Sequence, residues 1–429
     1  MKITSLQALQ ILDSRGQPTI QVSLGLESGL KATASVPSGA STGSHEAKEL
    51  RDGGPDYQGL GVSQAISNIT EKIAPRLIGL EVQNQAQLDQ LMIELDGTAD
   101  KSNLGANAIL GVSLAIARAG ALGAQLPLYE YLSQFNPNFS GTYTLPIPML
   151  NVLNGGEHAN WSTDIQEYMI MPVGAQSFAQ ALKMGAEIYQ HLKKIIKEQG
   201  DKITVGDEGG FAPAFKTNEE AFSLLSQAIL AAGYQLGTEV VLAIDAAASE
   251  FYQPATDSYE LKKEAKSLSR AELSEFYQGL IKRYPLWSLE DPFAEDDWTG
   301  FKELTAALTP PKQIVGDDLY VTNSERLARG IAEQASNSIL IKPNQIGTLT
   351  ETIKTINEAQ AQGLTAIISH RSGETEDTFI ADLAVAMGTG QIKTGAPARS
   401  ERTAKYNRLL AIEQELGERA VYAKFPFFP

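Results

Sequence analysis

Residues 365–385 read TAIISHRSGETEDTFIADLAV. Ala366, Ile367 and Ile368 follow one another without a polar break, as in a strand covered on both faces. The run then turns abruptly to Ser369, His370, Arg371 and Ser372. An apolar strand that delivers His, Arg and Ser together at its end points to a bound anion. Arginine forks onto phosphate, and serine and backbone N–H groups add donors. Ser-His-Arg alone says little, so the rest of the chain has to supply the context.

Seven other apolar runs share the plan. In order, the eight are PMLNVLNGG, DIQEYMIMP, EVVLAIDAAAS, YPLWSLEDPF, KQIVGDDL, NSILIKPNQ, LTAIISHRS and GQIKTGAP. Six of them close on a polar residue: Asp245, Glu290, Asp317, Lys342, His370 and Lys393. These are spaced 45, 27, 25, 28 and 23 residues apart. Each spacing holds a strand, a helix and two loops. Eight such units predict an α/β barrel with functional side chains at the strand C-termini. The first two runs lie too close for a crossover helix and leave room only for a hairpin, so the first strands should depart from simple alternation. Helix-like stretches at 177–199 and 218–232 then follow, with TVGDEGGFAP between them.

The chain before the barrel reads as a smaller α+β domain. Residues 2–12 and 19–26 are strand-like, and DSRGQPT between them has turn chemistry. Helical patterns follow at 62–78 and 84–95 and in the apolar NLGANAILGVSLAIARAGALG. PNFSGTYTLPIP, residues 137–148, reads as a linker because its prolines interrupt regular structure. The expected division is therefore 1–136 for the N-terminal α+β domain and 137–429 for the barrel carrying the active site.

Composition narrows the chemistry. The chain has 429 residues, 43% hydrophobic, enough for a sizeable core. Cysteine is absent, which removes disulfides, zinc-thiolate sites and thiol nucleophiles. Any metal must be held by oxygen or nitrogen. The net charge of −16 makes nucleic acid and acidic membranes poor partners. Neither a long apolar span nor a signal-peptide core is evident, so a soluble cytoplasmic protein is expected. An anionic substrate would need a local cationic pocket, and Arg371, Lys393 and His158 are candidates for it.

Asp245, Glu290 and Asp317 would point into one barrel mouth. A strand-end acid commonly caps the next helix or pairs with a lysine, but three converging carboxylates repel one another unless a cation joins them. Three oxygen donors suit Mg²⁺, with Mn²⁺ as an alternative. Lys342 and Lys393 also end apolar strands. A lysine near Mg²⁺ and a second ammonium has its charged form disfavoured, which would suit either of them to work as a general base. Glu167 and Glu208 form a second acidic pair that could share a proton and leave a general acid. PSGASTGSHEA (37–47) and LNGGEHANW (153–161) are Gly-, Ser- and Asn-rich loops, either plain surface or lids over the site.

At this point the chain resembles the enolase family. The resemblance rests on DSRGQPT, VPSGASTGSHEA, GANAILGVSLA, LNGGEHA, DIQEYMI, VGDEGGFAP, SLEDPF, GDDLYVTN, IKPNQIGTLTE, SHRSGETEDTFIADL and KTGAPARSERTAKYN, in the family's order and over essentially the whole chain. It implies a glycolytic hydro-lyase, phosphopyruvate hydratase, which dehydrates 2-phospho-D-glycerate reversibly to phosphoenolpyruvate with two Mg²⁺ per active site. By position in these motifs it implies Asp245, Glu290 and Asp317 on the first metal and Ser41 on the second. It implies Lys342 as the base at C2 and Glu208, assisted by Glu167, as the acid at the C3 hydroxyl. Lys393 and Gln166 would bind substrate, Arg371 and Ser372 the phosphate, and His158 and His370 would line the pocket. It further implies a homodimer, or an octamer of dimers, in the cytoplasm, with a cell-surface or secreted pool in some members.

Two other readings compete. One is a related Mg²⁺-dependent dehydratase or racemase for an unphosphorylated acid, which would have no need of Arg371 and Ser372. The other is a non-catalytic or moonlighting scaffold on the same fold, which could have lost Glu208 or Lys342 without penalty. Both residues are present.

Overall fold

The computed structural model describes residues 1–40 and 42–428; the side chain of His158 also lies outside the description. Three antiparallel strands open the chain: β1 (Ile3–Leu12), β2 (Pro18–Leu26) and β3 (Lys31–Ser35). β3, with the sequence KATAS, has a single β-branched residue and is not legible from its pattern. The stretch at 62–78 is helical with a π turn, Asn68–Ile73, in its middle. α1 (Gln85–Asp96) and α2 (Ala106–Ala124) follow. α2 packs across the sheet so closely that a Cβ on Gly111 would stand 2.8 Å from the Val22 side chain. Among the described residues α2 is the helix long and apolar enough to cross a membrane, and most of it is buried inside the protein.

Eight strands close the barrel. They are β4 (Ile147–Asn154), β5 (Glu167–Met171), β6 (Val241–Asp245), β7 (Leu286–Glu290), β8 (Gln313–Gly316), β9 (Ser338–Ile341), β10 (Thr365–Ser369) and β11 (Gln391–Lys393). They neighbour one another in chain order, and β11 returns to β4 in parallel. Every expected run supplies one strand. Asp245, Glu290 and Lys393 are the last residues of theirs, while Asp317, Lys342 and His370 fall one position beyond. The short link between the first two strands has the expected consequence: β5 runs antiparallel to both β4 and β6. Its first residue, Glu167, therefore sits opposite Asn154 and Asp245, at the mouth where the parallel strands end.

Residues 137–148 are more ordered than a linker. Tyr143–Leu145 pairs in parallel with Ala420–Tyr422, and Ile147 already begins β4. Pro146 and Pro148 each remove one N–H donor, yet the residues between and before them stay extended and keep their own ladder groups.

Between β5 and β6 come α3 (Phe178–Glu198) and α4 (Asn218–Ala231). Ser177 caps α3 by accepting from the Gln180 amide. α5 (Leu349–Ala361) and α6 (Ser400–Leu416) flank the later strands. The start of α5 ties the barrel to the N-terminal part. Buried Asp89 of α1 accepts from Thr350 N at 3.0 Å and Oγ1 at 2.6 Å, and Ser113 Oγ accepts from Leu349 N at 2.9 Å. At the opposite end, Phe425 packs with Ile147, Met149, Met171 and Val241 and closes the barrel floor. Phe428 meets Trp287 edge-on at 5.3 Å, and the Lys312 ammonium lies 3.0 Å from the centre of that indole ring.

Candidate active site

The mouth gathers Gln166, Glu167, Glu208, Asp245, Asp317, Lys342, His370, Arg371, Ser372 and Lys393 around one pocket. Glu290 joins them through Lys393, whose Nζ stands 2.7 Å from Glu290, 3.1 Å from Asp245 and 3.2 Å from Glu167. Burial pushes the Lys393 ammonium down, but Asp245, Glu167 and Glu290 overcome this and hold it well above the usual lysine value. Burial pushes the Glu290 carboxyl well up, and the adjacent Asp245 adds to the rise.

Lys342 pairs with Asp317, which also accepts from Gln345 Nε2 at 2.9 Å. Burial disfavours the Lys342 ammonium, as expected near other cations, yet Asp317 raises it above the ordinary value. The expectation of a depressed Lys342 is therefore not met in this arrangement. A cation that took up the Asp317 charge would remove the cause.

The pocket is also not cationic overall. Lys342, Lys393 and Arg371 stand among Glu46, Glu167, Glu208, Asp245, Glu290, Asp291, Asp317 and Asp318. Acids outnumber bases because three successive strands, β6, β7 and β8, and the turns after them deliver carboxylates, while only β9 and β11 deliver lysines. Such a donor set fits a hard divalent cation: it is all oxygen, it comes from the neighbouring strand ends of β6, β7 and β8, and the buried Glu290 Oε2 has no hydrogen-bond partner among the described residues. Two further groups bring ligand atoms within 4.8 Å of one another, Asp291 with Asp317 and Asp318, and Glu167 with Glu208 and His370. Asp291 accepts from the backbone N–H of Asp317 at 2.9 Å and of Asp318 at 2.8 Å, which fixes the turn carrying both acids.

The acidic pair is brought together. Burial and then Glu208 push the Glu167 carboxyl well above its usual range, as two close carboxylates should. Glu208 accepts from Asn151 Nδ2 at 2.6 Å and faces His370 Nε2 at 3.6 Å. Gln166 Nε2 reaches Asp245 at 3.5 Å, and its buried Oε1 has no partner among the described residues.

Arg371 and Ser372, the residues expected to bind an anion, engage the loop at 37–47. Arg371 forks onto Glu46 at 2.9 and 3.0 Å and donates to Asn344 Oδ1 at 2.9 Å. Ser372 Oγ accepts from Ala40 N at 2.7 Å. A Cβ on Gly39 would lie 2.2 Å from Arg371 Nη2, so a larger residue there would have to push the guanidinium off its position. The same loop is fastened outside by Ser44 to Glu295 at 2.7 Å and His45 to Asp296 at 3.2 Å. Ser41 and the side chain of His158 fall outside the described residues.

Sequence reasoning assigned nothing to Glu46, Asn151, Asn344, Gln345 or Arg402. Asn151 carried a signal: it is a polar residue within an otherwise apolar strand, and it is fully buried. Arg402, within ARSERTAKYN, looks like an ordinary surface helix arginine until the fold buries it.

Residues 3–132 match the family model described as the enolase N-terminal domain, and residues 142–428 match the one described as the enolase C-terminal TIM barrel domain. With nearly the whole chain matched in two consecutive parts, and a closed eight-stranded barrel whose mouth carries the acids and lysines of the motifs, the chain belongs to the enolase family.

Proposed function

We propose that the protein is a phosphopyruvate hydratase, a hydro-lyase that interconverts 2-phospho-D-glycerate and phosphoenolpyruvate with two Mg²⁺ ions per site. The observation that carries this reading is the placement of two different proton carriers in one pocket. Lys342 follows β9, while Glu208 is held by Asn151 of β4, three strands further round the barrel. Proton removal at one carbon and hydroxyl loss at the next require a base and an acid that are separate.

Asp245, Glu290 and Asp317 would hold one ion and Ser41 would reach the other. When bound, the ions supply positive charge against the substrate carboxylate as the neighbouring C2 loses its proton. Lys342 takes that proton. Glu208 gives a proton to the C3 hydroxyl, which leaves as water, and the resulting carboxylate keeps its hydrogen bond from Asn151. Burial and the neighbouring Glu208 raise the Glu167 carboxyl, so the two acids share a proton. Lys393 and Gln166 orient the substrate carboxylate. Arg371 and Ser372 hold the phosphate, which replaces part of their grip on the loop at 37–47. His158 and His370 line the pocket.

The test is ultraviolet absorbance of the protein mixed with 2-phosphoglycerate, with Mg²⁺ and then with excess chelator. A Mg²⁺-dependent rise from the new enol double bond, lost in Lys342→Ala, is the expected result. General-base removal should cost about 10²- to 10⁴-fold in kcat. No rise under any divalent ion would overturn the assignment and favour a binding role for the fold.

A further inference from the structure

Arg402, near the start of α6, is fully buried, unusual for an arginine. Its Nη1 meets His370 Nδ1 at 2.6 Å. A guanidinium has only donors, so Nδ1 must present its lone pair. Burial first, with Arg402 contributing, keeps the His370 ring well below its usual pKa, and the ring is therefore neutral at physiological pH. Its single proton then sits on Nε2. That atom has no hydrogen-bond partner among the described residues and faces Glu208 Oε1 at 3.6 Å.

We propose that Arg402 is a positioning residue that fixes His370 as the Nε2–H tautomer and turns that N–H toward Glu208. The opposite tautomer would set a lone pair against the Glu208 carboxylate. The same guanidinium donates to the carbonyls of Arg371 at 2.7 Å, Ser372 at 2.7 Å and Asp207 at 3.0 Å. One side chain thus locks a ring and ties the anion-binding segment to the loop that carries Glu208. The kinetic consequence rests on the reaction proposed above; the tautomer does not.

The test uses the full-length protein labelled with ¹⁵N-histidine. It has only four histidines, and His370→Asn assigns the resonances by loss. Two-bond ¹H–¹⁵N correlations report the tautomer of each ring. The wild type is expected to show His370 with protonated Nε2 and bare Nδ1. An Nδ1–H ring or an imidazolium would overturn the proposal whether or not any variant folds. Arg402→Met should give mixed tautomers and a kcat lower by about 10- to 100-fold, the range for outer-shell partners that orient histidines. Arg402→Lys, with one donor restored, should recover the Nε2–H ring and part of kcat. A folded Arg402→Met protein that keeps the wild-type pattern would also overturn it. A wild type with the expected tautomer but no dehydratase activity would leave Arg402 in place and sink only the reaction.

Discussion

Arg371 and Glu46 meet across the mouth as a two-pronged pair, Nη1 to Oε2 at 2.9 Å and Nη2 to Oε1 at 3.0 Å. The residue assigned to the substrate phosphate is thus also the anchor of the loop at 37–47. Charge-assisted forks of this kind are about twice as strong as neutral hydrogen bonds. Glu46→Gln keeps the shape and removes the charge. The amides of Ser38 and Ala47, bonded to Gly373 O and Gln345 O, should then exchange about tenfold faster with deuterium, while amides of the barrel strands stay unchanged. Equal exchange in the two proteins would show that Glu46 does not hold the loop.

The crowding of carboxylates at the mouth gives a second expectation. A divalent ion that binds only the folded state stabilises it by about 2.7 kcal/mol at a hundred times its dissociation constant. Thermal melts in Mg²⁺ should therefore rise above melts in chelator. Glu290→Gln, which removes a buried charge at the end of β7, should lose most of that rise. A variant that keeps the full response would remove Glu290 from the metal site.

Asp89 offers a pH test away from the mouth. Burial raises its carboxyl above the ordinary value despite donors from Thr350, Ser113 and Gln85. The folded state thus holds this proton more tightly than the unfolded chain does. The contribution of Asp89 to stability is therefore fully present below its unfolded value and declines as pH rises toward the folded one. Asn cannot ionise. The Tm of Asp89→Asn relative to wild type should move in the variant's favour between pH 4 and pH 7. A constant difference would mean that Asp89 is not perturbed.

The floor of the barrel gives a stability test. Phe425 is almost wholly buried among strand residues from both sides of the β11–β4 closure. Phe425→Ala should cost about 3 kcal/mol in denaturant unfolding, the low end for truncating a buried phenylalanine. A cost under ~1 kcal/mol would show that the tail lies on the floor without sealing it.

The barrel was legible because strand period, strand-end chemistry and spacing agreed. Each apolar run announced itself, and the shortage of residues between β4 and β5 foretold their hairpin. β3 was hidden because alanine and serine carry little strand signal, and the pairing of Tyr143–Leu145 was masked by the prolines beside it. At the site, the named residues that are described, Ser41 and the His158 side chain being outside the description, converge on one pocket. Their partners were not legible. Glu46 and Arg402 find Arg371 and His370 only through contacts that span much of the chain or bury a helix face, and no local pattern encodes those. The partner of Lys342 was hidden for the same reason: Asp317 comes from another strand end.

The return of β11 to β4 sets the order in which a growing chain can finish. The antiparallel hairpin of β4 and β5 needs only local pairing and can form as soon as it emerges from the ribosome, whereas β6 joins β5 only after α3 and α4 have been made. The ring itself stays open until Gln391–Lys393, the last of the eight strands to be made, meets Ile147–Met149. Until then both terminal strands present bare backbone edges, the condition under which nascent chains aggregate. A chain truncated before residue 391 would therefore be a seven-stranded open sheet with two exposed edges, a natural substrate for chaperones and proteases.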